Sequence, residues 1–196
     1  MKDVIAADGD LVIRRVRDHP ADLARIVAWR NSPHVREWWD PDDPLLTAAA
    51  AVEELGLRGG GDHQTTSCII ELAGEPVGYI QCYPWDAEEA YLAEIGLSLP
   101  PGSWGLDVFI GDPLLAGRGI GSRAVTLLSD HLFTEESATA VALITEVSNA
   151  RAQAAYVHAG MRVSGEPFHD TDRRDGQPVE SILMIRDRPG GTASGR

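Results

Sequence analysis

Three glycines alternate over five residues of LLAGRGIGS, at Gly117, Gly119 and Gly121, between the apolar run WGLDVFI and the amphipathic run GSRAVTLLSDHLF. Without Cβ atoms, successive backbone N–H groups can converge where a strand gives way to a helix, which makes a site for phosphate oxygens. A tight turn needs fewer glycines, so an anion explains the pattern better than a turn alone. A Walker A loop would require Gly-Lys-Ser/Thr, which is absent. Gly119-x-Gly121-x-x-Ala124 fits the loose dinucleotide fingerprint, but GDPLLA parts the glycines from the strand and no βαβ unit opens the chain.

Two acids stand where acids are expensive. Asp107 interrupts WGLDVFI, and an ionised carboxylate in an apolar strand is costly unless paired, which makes it a candidate general base. The alternative is an aspartate on the exposed face of a half-buried strand. Glu146 closes the β-branched run AVALITE at its carboxyl end, where ligands sit against parallel strands; otherwise it is a plain lead-in to the next helix.

The elements that must position these groups follow from periodicity. Residues 11–17 alternate as a strand, ADLARIVAWRN and TAAAAVEELGLR read as helices, and HVREWWDPDDP as a helical turn running into a loop. TTSCIIELAG and EPVGYIQCYPW form an antiparallel pair, and residues 86–103 read as irregular. WGLDVFI is a strand, GSRAVTLLSDHLF a helix with Val125, Leu128 and Leu132 on one face, and AVALITE a buried strand. SNARAQAAYVHAG is a capped helix, followed by strands MRVSGEPF and VESILMIRDR around the polar loop HDTDRRDGQP. One parallel strand pair flanking a helix, inside otherwise antiparallel pairing, gives an α+β fold and not a doubly wound one. We expect one domain over residues 1–188 and a disordered tail over 189–196.

Composition narrows the function. A formal net charge of −13 is the reverse of a nucleic-acid-binding footprint. It suits a polycationic small molecule if acids such as Asp40, Asp42, Asp43, Glu88, Glu89 and Glu94 converge on a site. No apolar run is long enough for a bilayer, and the N-terminal segment lacks the apolar core of a signal peptide, so we expect a cytoplasmic protein without a membrane partner. Cys68 and Cys82 flank LAGEPVG and read as buried small residues rather than a disulfide. The histidines show no metal-ligand spacing, so no metal is expected. Monomer and homodimer stay open.

LLAGRGIGS resembles the pyrophosphate loop of the GNAT acyl-CoA N-acyltransferase superfamily, Gln/Arg-x-x-Gly-x-Gly/Ala, with Ala116 at the Gln/Arg position. NARAQAAYVHAGM places Asn149, Ala152, Tyr156 and Gly160 at the spacing of its Asn-x-x-Ala-x-x-x-Tyr-x-x-x-Gly-Phe signature, with Met161 for Phe. VREWWD, GEPVGYIQCY, WGLDVFIG and LLAGRGIGS occur in the order and spacing of the aminoglycoside 6'-N-acetyltransferases, a resemblance running over residues 11–185. Residues 86–103 and 168–178 differ from that group in length.

The resemblance implies a mixed, mostly antiparallel sheet of six to seven strands, with a splayed parallel pair in the middle and flanking helices. It implies acetyl-CoA as donor, held by Val108, Phe109 and Ile110, by Gly117, Arg118, Gly119, Ile120, Gly121 and Ser122, and by Asn149 and Tyr156. It implies Asp107 at the acceptor amine and Tyr156 as the acid for the departing thiolate. On the acceptor side it implies Trp38, Trp39, Gln81, Tyr83, Glu146 and Asp175. Adjacent side chains face opposite ways, so one of the two tryptophans is expected to turn into the core. No cysteine stands at the strand–helix junction, so direct attack in a ternary complex is expected. The alternatives are the same chemistry on a protein N-terminus, a polyamine or a siderophore precursor, and a non-catalytic acyl-CoA sensor.

Overall fold

The computed structural model describes residues 3–39, 41–56, 64–170 and 178–190. Within these residues eight strands form one sheet in the order β1-β2-β3-β4-β5-β6-β8-β7: β1 Val4–Asp8, β2 Leu11–Arg15, β3 Thr66–Leu72, β4 Glu75–Pro84, β5 Trp104–Ile110, β6 Ala140–Glu146, β7 Arg162–Asp170 and β8 Val179–Asp187. The helices are α1 Pro20–Arg30, α2 Pro33–Arg36, α3 Ala48–Glu54, α4 Glu89–Glu94, α5 Ile120–Glu135 and α6 Ala150–His158.

The strand count exceeds the expected six to seven because β1 pairs with β2 across a turn at Gly9, where φ is +59°. VIAAD is short and lacks apolar–polar alternation, so only the partner strand defines it. Residues 86–103, expected to be irregular, hold a 3₁₀ turn at Trp85–Glu88 and then α4. The segment 171–177, with Asp175, lies outside the described residues, as do Asp40 and the tail from residue 191.

Among the described residues the one parallel pairing, β5 with β6, runs only through Trp104↔Val141 and Gly105↔Ala142. Beyond it the strands part, while β5 stays paired with β4 as far as Ile110 and β6 with β8 as far as Glu146. One sheet face packs Ile80, Leu106, Leu143 and Met184 against Val125, Leu128 and Leu132 of α5, all at most 1 % exposed. Cys68 and Cys82 belong to this core as free thiols in different cross-strand pairs, Cys68↔Ile80 and Thr66↔Cys82. The opposite face carries two separate apolar patches. One joins Ile69, Tyr79, Phe109, Trp29 and Trp39 beneath α1–α3, and the other joins Tyr83, Trp85, Ala142 and Leu183 beneath α4.

The first patch is anchored by a buried ion network. Arg14 forks onto Asp22 of α1 with bonds of 2.6 and 2.8 Å and onto Glu71 of β3 at 2.6 Å. Burial alone would raise the Asp22 carboxyl, but Arg14 and the Arg17 N–H outweigh it and hold it below the ordinary 3.8. Its contribution to stability is therefore present above that value and lost as the pH falls through the depressed one. Removing one partner leaves an uncompensated buried charge. Arg14→Ala should lower the unfolding free energy by about 3–5 kcal/mol, read from urea unfolding at neutral pH.

Candidate active site

Strand registry puts the candidate base in the seam between the two apolar patches. Along the patch-bearing face the cross-strand rows are Ile69–Tyr79–Phe109, then Ser67–Gln81–Asp107, then Tyr83–Gly105–Ala142. The outer rows are covered by α1–α3 and by α4, whereas the middle row is polar. Asp107 is half-buried there, and Gln81 Nε2 donates to its Oδ2 at 2.8 Å. The Tyr83 hydroxyl also bonds Asp107, and burial, with the Asp107 charge second, pushes the Tyr83 phenol well above its usual range.

Tyr83 lies over Gly105, where a Cβ would run into its ring. A glycine is required here for that close approach. Gly105→Ala should displace the ring and cost the hydrogen bond to Asp107. A bond to a charged group is worth about 1.5–3 kcal/mol, so we expect a loss of roughly ten- to hundredfold in kcat, with Tyr83→Phe falling in the same range.

Through the gap between β5 and β6 passes a cleft of about 560 Å³, lined from both sheet faces. Trp38, Trp39, Asp107 and Glu146 line it, as do Val108, Phe109 and Ile110 of β5, Gly117, Gly119, Gly121 and Ser122 of the glycine loop, and Asn149 and Tyr156 of α6. Trp39 also packs edge-on against Phe109 and Tyr79, with its ring under the Arg30 guanidinium, so it is the more core-like of the tryptophan pair. Gln81 and Tyr83 reach the site through Asp107. Of the expected donor residues, Arg118 is exposed, and the Ile120 side chain is in the main core, leaving its backbone to the loop.

The loop geometry fits an anion. Gly117 and Gly119 have φ of +76° and +79°, in the left-handed region, and a Cβ on Gly117 would meet nothing within 4 Å. Gly119 is the N-cap of α5 and offers no side chain to the first-turn N–H groups. Those donors, at the positive end of a 16-residue helix, are what a diphosphate needs. Asn149 accepts the Ala152 N–H at 3.1 Å, so its carbonyl oxygen caps α6. The Tyr156 phenol is pushed up first by burial and then by the Asp107 charge, which keeps its proton in place as an acid.

Several site residues were not foreseen. Asp170 lines the cleft from the end of β7 and accepts a hydrogen bond from Tyr91 of α4 at 2.9 Å. His34 lines it from α2, with Nε2 3.2 Å from the Ile110 carbonyl, so that nitrogen carries the proton. Tyr79 bonds Gln81 from the row above. The alternation of Tyr79, Gln81 and Tyr83 was a readable signal for one polar–aromatic face. Asp170 had none, standing in a stretch that reads as a loop. Conversely, the described acids among those expected to converge, Asp42, Asp43, Glu88, Glu89 and Glu94, do not line the cleft.

Comparison with known proteins agrees with this geometry. The family described as Acetyltransferase (GNAT) domain matches residues 18–167. An aminoglycoside N(6')-acetyltransferase type 1 from Klebsiella pneumoniae is 28 % identical over 169 residues, covering 83 % of this chain and 79 % of its own. The structure of AAC(6')-Ib in complex with ribostamycin and coenzyme A superposes with a TM-score of 0.74 at 27 % identity, over 92 % of this chain and 94 % of that one. AAC(6')-Ib with coenzyme A and kanamycin gives 0.71 at 27 % identity, over 91 % and 95 %. A splayed β5–β6 pair, a glycine loop capping α5 and a matching family signature lead to one conclusion: this chain belongs to the GNAT acetyltransferase family and is an acetyl-CoA-dependent N-acetyltransferase.

Proposed function

We propose that the protein acetylates an amino group of an aminoglycoside, the 6'-amine, by direct attack within a ternary complex, and that it works in the cytoplasm. The observation that carries this reading is the convergence of Asp107, Glu146 and Asp170 on the cleft that also holds the glycine loop. Each carboxylate–ammonium contact at about 4 Å is worth up to about 4 kcal/mol before desolvation at an effective dielectric near 20. Three such groups favour a polycationic acceptor and disfavour acidic ones. The named relatives act on such compounds.

Acetyl-CoA, when bound, supplies an acetyl group activated as a thioester. Its diphosphate is assigned to the N–H groups of Gly117 to Ser122, and its arm to the edge of β5 at Val108–Ile110 that β6 leaves unpaired. A backbone N–H of Val108 or Phe109 would stabilise charge on the carbonyl oxygen. Asp107 takes the proton that the attacking nitrogen must lose, and the Tyr156 hydroxyl holds the one that the departing sulfur needs. Neither cysteine offers an acyl-enzyme route: both are buried, with thiols pushed up to about 12 by that burial.

The regiochemistry is tested on the product from kanamycin. We expect NMR to place one acetyl group on the 6' nitrogen, and paromomycin, which carries a hydroxyl there, to be inert. Acetylation elsewhere would overturn the 6' assignment.

A further inference from the structure

Two residues that do not line the cleft are wired to Asp107. Tyr79 is only 2 % exposed, its ring stacked on Phe109 at 5.4 Å and met edge-on by Trp39 at 5.8 Å. Its hydroxyl lies 2.7 Å from Gln81 Oε1 and 2.8 Å from Ser67 Oγ. Gln81 is the residue whose Nε2 donates to Asp107 Oδ2.

The donors and acceptors can be ordered in one way only. A phenol has one proton, and an amide oxygen can only accept, so Tyr79 donates to Gln81 and the Ser67 hydroxyl donates to Tyr79. With its oxygen engaged, Gln81 must present Nε2 to the carboxylate. The flipped amide would set Oε1 against Asp107, placing two acceptors in contact. The sequence Ser67→Tyr79→Gln81→Asp107 therefore runs across three adjacent strands with a matched donor and acceptor at each step. An amide does not pass protons readily, so this array orients rather than conducts.

We propose that Tyr79 is a positioning residue for acetyl transfer: with Ser67 it sets the orientation of Gln81 and, through it, the place of the Asp107 carboxylate in the seam. The inference rests on the reading of Asp107 as the base. It accounts for a fully hydrogen-bonded phenol in a patch that phenylalanine would fill equally well by shape.

The test is a double-mutant cycle in kcat, with kanamycin as acceptor and acetyl-CoA as donor. Tyr79→Phe should lower kcat about tenfold and leave the KM for acetyl-CoA unchanged. Ser67→Ala, which keeps the Tyr79 ring in place, should lower it in the same sense by a smaller factor. In the Asp107→Asn background, Tyr79→Phe should change kcat by less than about twofold. An equal loss in both backgrounds, or wild-type kcat in Tyr79→Phe, would overturn the proposal. The Asp107→Asn variant alone reads the base assignment: wild-type kcat there removes that assignment and the positioning role with it. A normal cycle for the base with no coupling to Tyr79 removes only the second.

Discussion

Asp107→Asn is expected to lower kcat by about 10²–10⁴-fold while the Kd for acetyl-CoA stays at its wild-type value. The substitution keeps the volume of the side chain and one acceptor oxygen, so the seam between the apolar patches stays filled. It removes the basic oxygen that takes a proton from the acceptor nitrogen. It also leaves one acceptor oxygen where the carboxylate offered two to the donors that meet at Asp107, Gln81 Nε2 and the Tyr83 hydroxyl. The donor site, the loop before α5 and the β5 edge at Val108–Ile110, is made of backbone that the substitution leaves in place. Stopped-flow or steady-state thiol release, beside calorimetric titration of acetyl-CoA, separates the two effects. Turnover at the wild-type rate would mean that the amine loses its proton to another group.

Tyr156→Phe is the second large effect. The ring packs against the main core and its loss of one oxygen leaves that packing in place. The expected outcome is a fall in kcat of about 10²-fold or more, with little change in either KM, because the hydroxyl acts only as the carbon–sulfur bond breaks. Burial, with the Asp107 charge second, holds this phenol above its ordinary value of 10.0. A raised value keeps the acidic form populated to higher pH, so Tyr156 should produce no alkaline loss of kcat below the ordinary tyrosine range. Wild-type kcat in Tyr156→Phe would contradict the assignment, and an alkaline limb near neutrality that vanishes in that variant would contradict the raised phenol.

Those residues were legible because their local chemistry is anomalous: glycines with positive φ before a helix, a carboxylate inside an apolar strand, a signature tyrosine. What depends on pairing was not. VIAAD becomes β1 only through Leu11–Arg14 of β2. Asp170 enters the cleft because β7 runs on to pair Asp170 with Val179, which lengthens a strand that composition would end earlier. The acids of α4 stay outside because the helix turns Leu92 and Tyr91 inward and Glu89 and Glu94 outward, an amphipathic order hidden in a stretch that begins DAEEA. The link from Tyr79 to Asp107 joins positions 28 apart and exists only once β4 and β5 are in register. The donor loop and most element identities are thus local properties, whereas the extent of the edge strands and the acceptor pocket are tertiary ones.

The most direct measurement is thiol release from acetyl-CoA by the purified protein against kanamycin, tobramycin, spermidine and an alanine-initiated peptide at matched concentrations. Rapid turnover is expected with the two aminoglycosides and little with the others. Turnover confined to spermidine or the peptide would keep the acetyltransferase and contradict the aminoglycoside.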